Sequence, residues 1–278
     1  MKITIFTSSS NRHKYLVNSL INHNIYVIME DKKKFSFLNS TFFKKTYEEK
    51  NYFKKVVASE NRIFGKVYLR KKKIKKIYQI KYKKLNSISL KKLRPFLKSD
   101  LYIVFGSSYI KSNLIQYLIK KKCINIHIGV SPYYRGSNCN FWAIIDRNYD
   151  LVGATIHKLS RGLDDGPILY HSLVERIDNP IDYSMATVKS AILSLKQKID
   201  DNSIFKLKSK KQNKKKQIRF SKNSEFNKSY LKRYPKKISF EIPNKNLFIN
   251  PVVLKKSCIY DKNIKTPIKK KFKDFNYC

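Results

Sequence analysis

Residues 124–144 read INIHIGVSPYYRGSNCNFWAI, and this stretch decides how the rest of the chain is interpreted. It follows Cys123 as a short apolar run, CINIHI over 123–128, typical of a buried strand. Asn125 and His127 stand two apart on it, so both side chains project from one face. A carboxamide and an imidazole side by side at a buried strand end are costly unless each has a partner. Ser131-Pro132 and Arg135-Gly136 are turn signals, giving a defined loop directly after the strand. About forty residues beyond the pair, GLDDGPIL over 162–169 brackets Asp164 and Asp165 between two glycines at the entry of another strand. Glycine tolerates unusual backbone angles, so such a loop can approach a neighbouring strand end closely. Either element alone is common by chance and reads as a satisfied polar cluster or a solvated turn. Together they point to a polar site where strands end.

Working outward, residues 2–7 (KITIFT) form an apolar, β-branched run, the polar SSSNR follows, and 13–23 carry Tyr15, Leu16, Leu20 and Ile21 at helical spacing. Residues 25–29 (IYVIM) read as a second strand. This alternation predicts an α/β fold with a mostly parallel, Rossmann-like sheet. Residues 46–61 predict a helix, 101–105 (LYIVF) a strand, 114–119 a helix, and 139–147 another. Strands over 152–158 and 167–176 follow, and a helix over 182–199 uses Met185, Val188, Ile192 and Leu195 as its apolar face. The Lys-rich 66–93 segment carries no firm assignment. The catalytic domain is expected to span 1–200, with a basic C-terminal extension over 201–278. Within that extension, 201–217 read as a linker and 217–234 as a small strand-helix piece.

The chain has 278 residues, 42% hydrophobic and 13% aromatic, enough for a sizeable core and too much for general disorder. No apolar run approaches the roughly 18–20 residues needed to cross a bilayer. MKITIFTSSSN lacks the longer apolar region of a secretory signal, so a cytoplasmic location is expected. Lys and Arg total 61 against 19 Asp and Glu, a net charge of +42. Such charge suggests a polyanionic partner, but only ten of the 61 are Arg, the residue favoured for bidentate phosphate and base contacts. Residues 101–198 hold twelve basic and seven acidic side chains, so most of the excess lies in the flanks. A bias toward Lys spread over tolerant surface accounts for this better than nucleic-acid binding. Cys123, Cys139, Cys258 and Cys278 are scattered without a CxxC pair, and with five His no zinc spacing arises. No metal is expected.

NIH-x(3)-SP-x(2)-RG, then GATIH over 153–157, then GLDDGPIL, resembles the catalytic domain of the folate-dependent formyltransferases. That family includes glycinamide ribonucleotide, methionyl-tRNA and nucleotide-sugar N-formyltransferases. The likeness is sharp over 100–176 and coherent from residue 1 to about 198. It implies 10-formyltetrahydrofolate as formyl donor and co-substrate, and Asn125, His127 and Asp164 as catalytic residues. By the same resemblance Gly106, Ser107, Ser108, Tyr109 and Ile110 line the folate pocket. Asp165 departs from the small residue usual after the catalytic Asp. As donors, Asn125 and a protonated His127 suit the oxyanion that forms when an amine attacks the formyl carbon, at about 3–4 kcal/mol for each fixed donor. Asp164 would favour the charged imidazole and help collect the amine's proton.

Relatives acting on glycinamide ribonucleotide or methionyl-tRNA usually carry SLLP where this chain has GVSP at 129–132. SPYYRGSNCNFWAI, the 11–15 segment and QIRFSKNSEFNKSYLKRY at 217–234 are more similar to the nucleotide-sugar branch. The expected partner is therefore a small-molecule amine acceptor, an amino sugar on a nucleotide, with glycinamide ribonucleotide and methionyl-tRNA as alternatives. Arg12 and His13, ahead of a helix N-terminus, and Arg135 are substrate-binding candidates for its phosphates, though Arg135 suits loop bracing equally. Trp142 and His157 read as structural. A Lys-rich nucleic-acid-binding protein on a degenerate scaffold and a formate-releasing hydrolase are the rival classes. No membrane association is expected, and the oligomeric state, a homodimer among the options, stays open.

Overall fold

A computed structural model describes residues 1–31, 46–240 and 251–254 of the chain. In chain order these give β1 (Lys2–Ser8), α1 (Asn11–Ser19), β2 (Asn24–Asp31), α2 (Tyr47–Phe64), β3 (Ile74–Lys81), the single turn α3 (Leu90–Leu93), β4 (Leu101–Phe105) and α4 (Ser112–Lys120). They continue with β5 (Ile124–His127), β6 (Tyr134–Gly136), α5 (Cys139–Ile145), β7 (Ala154–Lys158), β8 (Ile168–Val174), α6 (Pro180–Asp200), β9 (Arg219–Ser221), α7 (Lys228–Arg233) and β10 (Pro251–Leu254). Cys258, Cys278 and most of the segment after residue 235 lie outside the described residues.

The main sheet has the order β10-β8-β7-β5-β4-β1-β2-β3. Every neighbouring pair is parallel except the two made by β7, which runs antiparallel to both β5 and β8. The strands are continuous apolar runs because both faces are covered. On β4, Leu101, Ile103 and Phe105 enter one core while Tyr102 and Val104 enter the other. On β2, Ile25, Val27 and Met29 join the first core and Ile28 the second, as the two-residue alternation of a strand requires. The first core is roofed by α1, α2 and α6, the second by α4 and the Leu93–Leu97 turns. A fully buried Ile or Leu contributes about 2 kcal/mol over an exposed one, so these runs hold the sheet together.

Local chemistry sets the helix ends. Thr46 and Glu49 form a capping box at the start of α2. Asn179 accepts from the N–H groups of Ile181 and Asp182 ahead of Pro180 at the first turn of α6. The unassigned 66–93 segment supplies β3, an edge strand whose exposed Lys75, Lys76 and Lys81 discourage further strand pairing.

Residues 201–240 stay on the same body. Lys210 and Ile168 exchange both backbone hydrogen bonds at 2.8 Å, so the basic segment is tied to β8. Further on, β9 pairs with β6 in a second small sheet. Phe226 and Tyr234 pack on Phe141 with ring centroids 4.8 and 4.9 Å away, and Tyr230 meets Trp142 at 4.7 Å. Arg219 lies over the same indole and grips Asp146 through two hydrogen bonds of 3.0 and 2.9 Å. Composition misses these attachments because Lys side chains point outward while the intervening backbone and aromatic residues make the contacts.

Candidate active site

Asn125 and His127 stand on β5, where the antiparallel neighbour β7 sets His157 opposite Asn125 and Thr155 opposite His127. Thr155 Oγ1 donates to Gly129 O at 2.6 Å and accepts from the Ser131 N–H at 2.8 Å, fixing the loop after β5. From the β7–β8 connection, the loop 162–166 brings Asp164 to both residues. The Asn125 amide nitrogen donates to Oδ1 of Asp164 at 3.3 Å, and Nδ1 of His127 lies 3.3 Å from Oδ2. The Gly136 N–H donates to that same Oδ2 at 3.4 Å. Three residues far apart in sequence therefore meet at one carboxylate.

His157 completes the cluster. Its Nδ1–H donates to Lys158 O at 2.8 Å, which leaves Nε2 bare to accept from the Asn125 amide at 3.0 Å. The Asn125 orientation follows, since a flipped amide would turn its oxygen toward the carboxylate. Both amide hydrogens of Asn125 are engaged, and the longer bond to Asp164 is the one a carbonyl oxygen could displace.

Both ring nitrogens of His127 face acceptors, Asp164 on one side and Tyr134 O at 3.1 Å from Nε2 on the other. A neutral ring satisfies one of them and an imidazolium both. Burial pushes the His127 imidazole below its ordinary value, and Asp164 offsets only part of this. Burial pushes the Asp164 carboxyl up, but His127 and the Gly136 N–H outweigh it and hold the group below the usual carboxylate range. The resting pair is a neutral imidazole beside a carboxylate, with hydrogen-bonding room for one further proton.

The loop is tightly seated. Asp164 has φ +50°, a left-handed conformation that Asp adopts more readily than most residues. A Cβ on Gly166 would lie 1.7 Å from Lys158 O, so only glycine lets the loop come this close to β7. The Arg135 guanidinium, 8% exposed, donates to Leu163 O at 2.8 Å and to Gln217 Oε1 at 3.0 Å, and lies 3.8 Å from Asp165. Its position is that of a brace between loop and C-terminal segment. Gln212 Nε2 donates to Asp164 O at 2.9 Å and Gly166 O at 2.8 Å.

The segment 106–110 follows β4, next to β5 in the sheet. Gly106 has φ +70°, and a Cβ there would fall 2.1 Å from Nε2 of His13. His13 is buried under this glycine against Phe105, hydrogen-bonded to Ser8 and Ser10. Ser108 is anchored through its N–H and hydroxyl to the buried Glu30 at 2.5 and 2.7 Å. Tyr109 is exposed, its hydroxyl donating to Arg161 O at 2.6 Å, and Ile110 is buried. Tyr109 thus links the 106–110 segment to the approach of the 162–166 loop. Arg12 pairs with Glu60 at 3.1 Å, so Arg12, like His13, is engaged with the body of the protein.

Sequence reasoning reads His157 as structural and leaves out Glu30 and Gln212. The register of GATIH against INIH could have flagged His157; Gln212 sits among lysines and gives no signal. An open groove of about 620 Å³ beside Tyr15, Arg70 and Asp200 contains none of these residues.

Comparison with known proteins bears on the family and the fold. The formyl transferase family model matches residues 24–199. Methionyl-tRNA formyltransferase of Desulforamulus reducens is 36% identical over 78 residues, covering 28% of this chain and 24% of that protein. The dTDP-4-amino-4,6-dideoxyglucose formyltransferase of Mycobacterium bovis is 44% identical over 48 residues, 17% of this chain and 20% of that protein. The matched segments thus span about a quarter or less of these curated relatives. The solved sugar N-formyltransferase of a Shewanella species has the same fold, with TM-score 0.50, 17% identity, and coverage of 81% of this chain and 78% of that one. With well over half of its length matched by the family model, the chain belongs to the formyl transferase family.

Proposed function

We propose that this protein transfers a formyl group from 10-formyltetrahydrofolate to the primary amine of an amino sugar carried on a nucleotide. The observation that carries the reaction is the convergence of Asn125 and His127 on the Asp164 carboxylate, each with a polar atom 3.3 Å from one of its oxygens. The amine nitrogen attacks the formyl carbon and a new C–N bond forms. Negative charge builds on the formyl oxygen, which Asn125 meets with an amide hydrogen released from Asp164. The proton shed by the amine moves to His127, whose imidazolium then satisfies both Asp164 and Tyr134 O. Collapse of the tetrahedral intermediate breaks the bond to the tetrahydrofolate nitrogen, and His127 returns the proton to it. Segment 106–110 forms the folate side of the site, with Gly106 seated on His13 and Ser108 tied to Glu30.

The sugar-nucleotide acceptor is supported by the strand-helix piece at 217–234, which seats on the catalytic body through β9 and the aromatic cluster. The local 44% identity to a dTDP-amino-sugar formyltransferase also supports it. The longer matches to methionyl-tRNA formyltransferases make methionyl-tRNA the acceptor to set against it. Steady-state assays with 10-formyltetrahydrofolate and dTDP-4-amino-4,6-dideoxyglucose, glycinamide ribonucleotide or methionyl-tRNA separate these readings. His127→Ala, with the fold intact, is expected to lower transfer by about a hundredfold or more. Near-normal turnover would refute the assignment, and formate release without any amine would indicate a hydrolase.

A further inference from the structure

We propose that Gln212 is a positioning residue for Asp164, its carboxamide clamping the 162–166 loop so that the carboxylate is held against His127. This rests on the catalytic reading of Asp164 given above. Composition places Gln212 in a basic linker, yet Gln212 is 7% exposed. The two-way backbone pairing of Lys210 with Ile168 delivers it to the loop. Its Nε2 donates to the carbonyls of Asp164 and Gly166 at 2.9 and 2.8 Å, on either side of Asp165. With both hydrogens committed, the amide cannot flip without setting its oxygen against two carbonyls. That oxygen is buried without a hydrogen-bond partner. An unpaired buried amide oxygen is unfavourable, so stability alone gives poor reason for a glutamine here.

The clamp acts where the backbone most needs it. Asp164 has the left-handed φ of +50°, which relaxes unless its surroundings over-determine it. Arg135 fixes Leu163 O, so the carbonyls of residues 163, 164 and 166 are all held from outside the loop. Lys214, with Nζ 3.8 Å from Asp165, continues the same contact surface. The charged and titratable groups facing His127 are Asp164 and His157 from the β7 side and Arg135 from β6, with the buried Cys139 thiol of α5 near the same carboxylate. Of these, Asp164 is the one whose backbone Gln212 holds.

The test uses the full-length chain with Gln212→Ala, Gln212→Met and Asp164→Asn. Met keeps a similar side-chain volume, adds no charge and loses both amide donors. The His127 imidazole is titrated by NMR, which requires no acceptor, and kcat and KM are measured with 10-formyltetrahydrofolate and dTDP-4-amino-4,6-dideoxyglucose. Both Gln212 variants should move the His127 titration in the direction that Asp164→Asn moves it. They should also lower kcat roughly tenfold to a hundredfold with KM little changed. A wild-type titration in folded Gln212→Met overturns the clamp while leaving the catalytic reading intact. Loss of folding in both Gln212 variants also overturns it, because the residue would then hold the fold and not the carboxylate. An unchanged His127 titration in Asp164→Asn overturns the reading beneath both.

Discussion

Gly166→Ala is a small change with a large expected effect. The added methyl would sit 1.7 Å from Lys158 O and 2.9 Å from Nδ1 of His157, so the loop or the end of β7 must give way by more than 1 Å. Two hydrogen bonds stand in the path of that movement, Lys158 N–H to Pro167 O at 2.9 Å and Gln212 to Gly166 O at 2.8 Å. Their loss is worth about 1 kcal/mol each, and overpacking adds about 1–3 kcal/mol. The variant should therefore unfold about 3–5 kcal/mol more easily, lowering Tm by roughly 10 °C. The displacement also reaches the chemistry, because Lys158 O anchors His157, His157 anchors Asn125, and the loop carries Asp164. A shift of about 1 Å in such groups costs on the order of a hundredfold in turnover. Urea unfolding and steady-state transfer, measured on one preparation, give both numbers. Stability within about 0.5 kcal/mol of the parent and turnover within about twofold would refute the reasoning, since surface substitutions free of such contacts behave in that way.

Phe141→Ala removes the ring on which Phe226 and Tyr234 pack, and should destabilise by about 3–5 kcal/mol. Limited proteolysis should then cut within 217–240, whereas the parent resists there. His127 and His171 both lie below the ordinary imidazole value because burial disfavours the charged ring. The unfolded chain takes up those protons more readily, so this contribution to stability is complete above about pH 6.5 and is lost as pH falls through the lower folded values. Urea midpoints should fall on acidification through that window. His171→Gln, which can still donate to Ser131 O, should reduce the fall. Gly106→Ala drives a methyl into the His13 ring and should weaken tetrahydrofolate binding, measured by calorimetry, by about tenfold. Adding His13→Ala should recover part of the loss.

The parallel sheet was legible because its strands are uninterrupted apolar runs separated by helical periodicity, and β4 coincides with LYIVF. β3 was not, since its Lys-rich edge dilutes the pattern that marks a strand. The convergence of Asn125, His127 and Asp164 was legible in part from Asn125 and His127 sharing a strand face and from glycines that let a distant loop approach, while the roles proposed for them came only from the family resemblance. What placed His157 beside Asn125 is the register of β5 against β7, which depends on how far the chain travels between them. Arg135 illustrates a different limit. A guanidinium next to a turn suits a phosphate or a backbone carbonyl equally, and only the path of residues 212–217 directs it to Leu163 O and Gln217. Gln212 was invisible for the same reason, its neighbours being lysines whose charge describes the solvent side of the segment.

The attachment of residues 210–221 to the catalytic loop bears on how the protein matures during synthesis. By the time α6 leaves the ribosome, seven of the eight strands of the main sheet are available to fold, together with Asn125, His127 and Asp164. The carbonyls that fix Asp164 still lack Gln212, and β6 still lacks β9. A nascent chain paused there would carry Asn125, His127 and Asp164 without the means to keep them aligned, and that alignment would arrive only with the next score of residues.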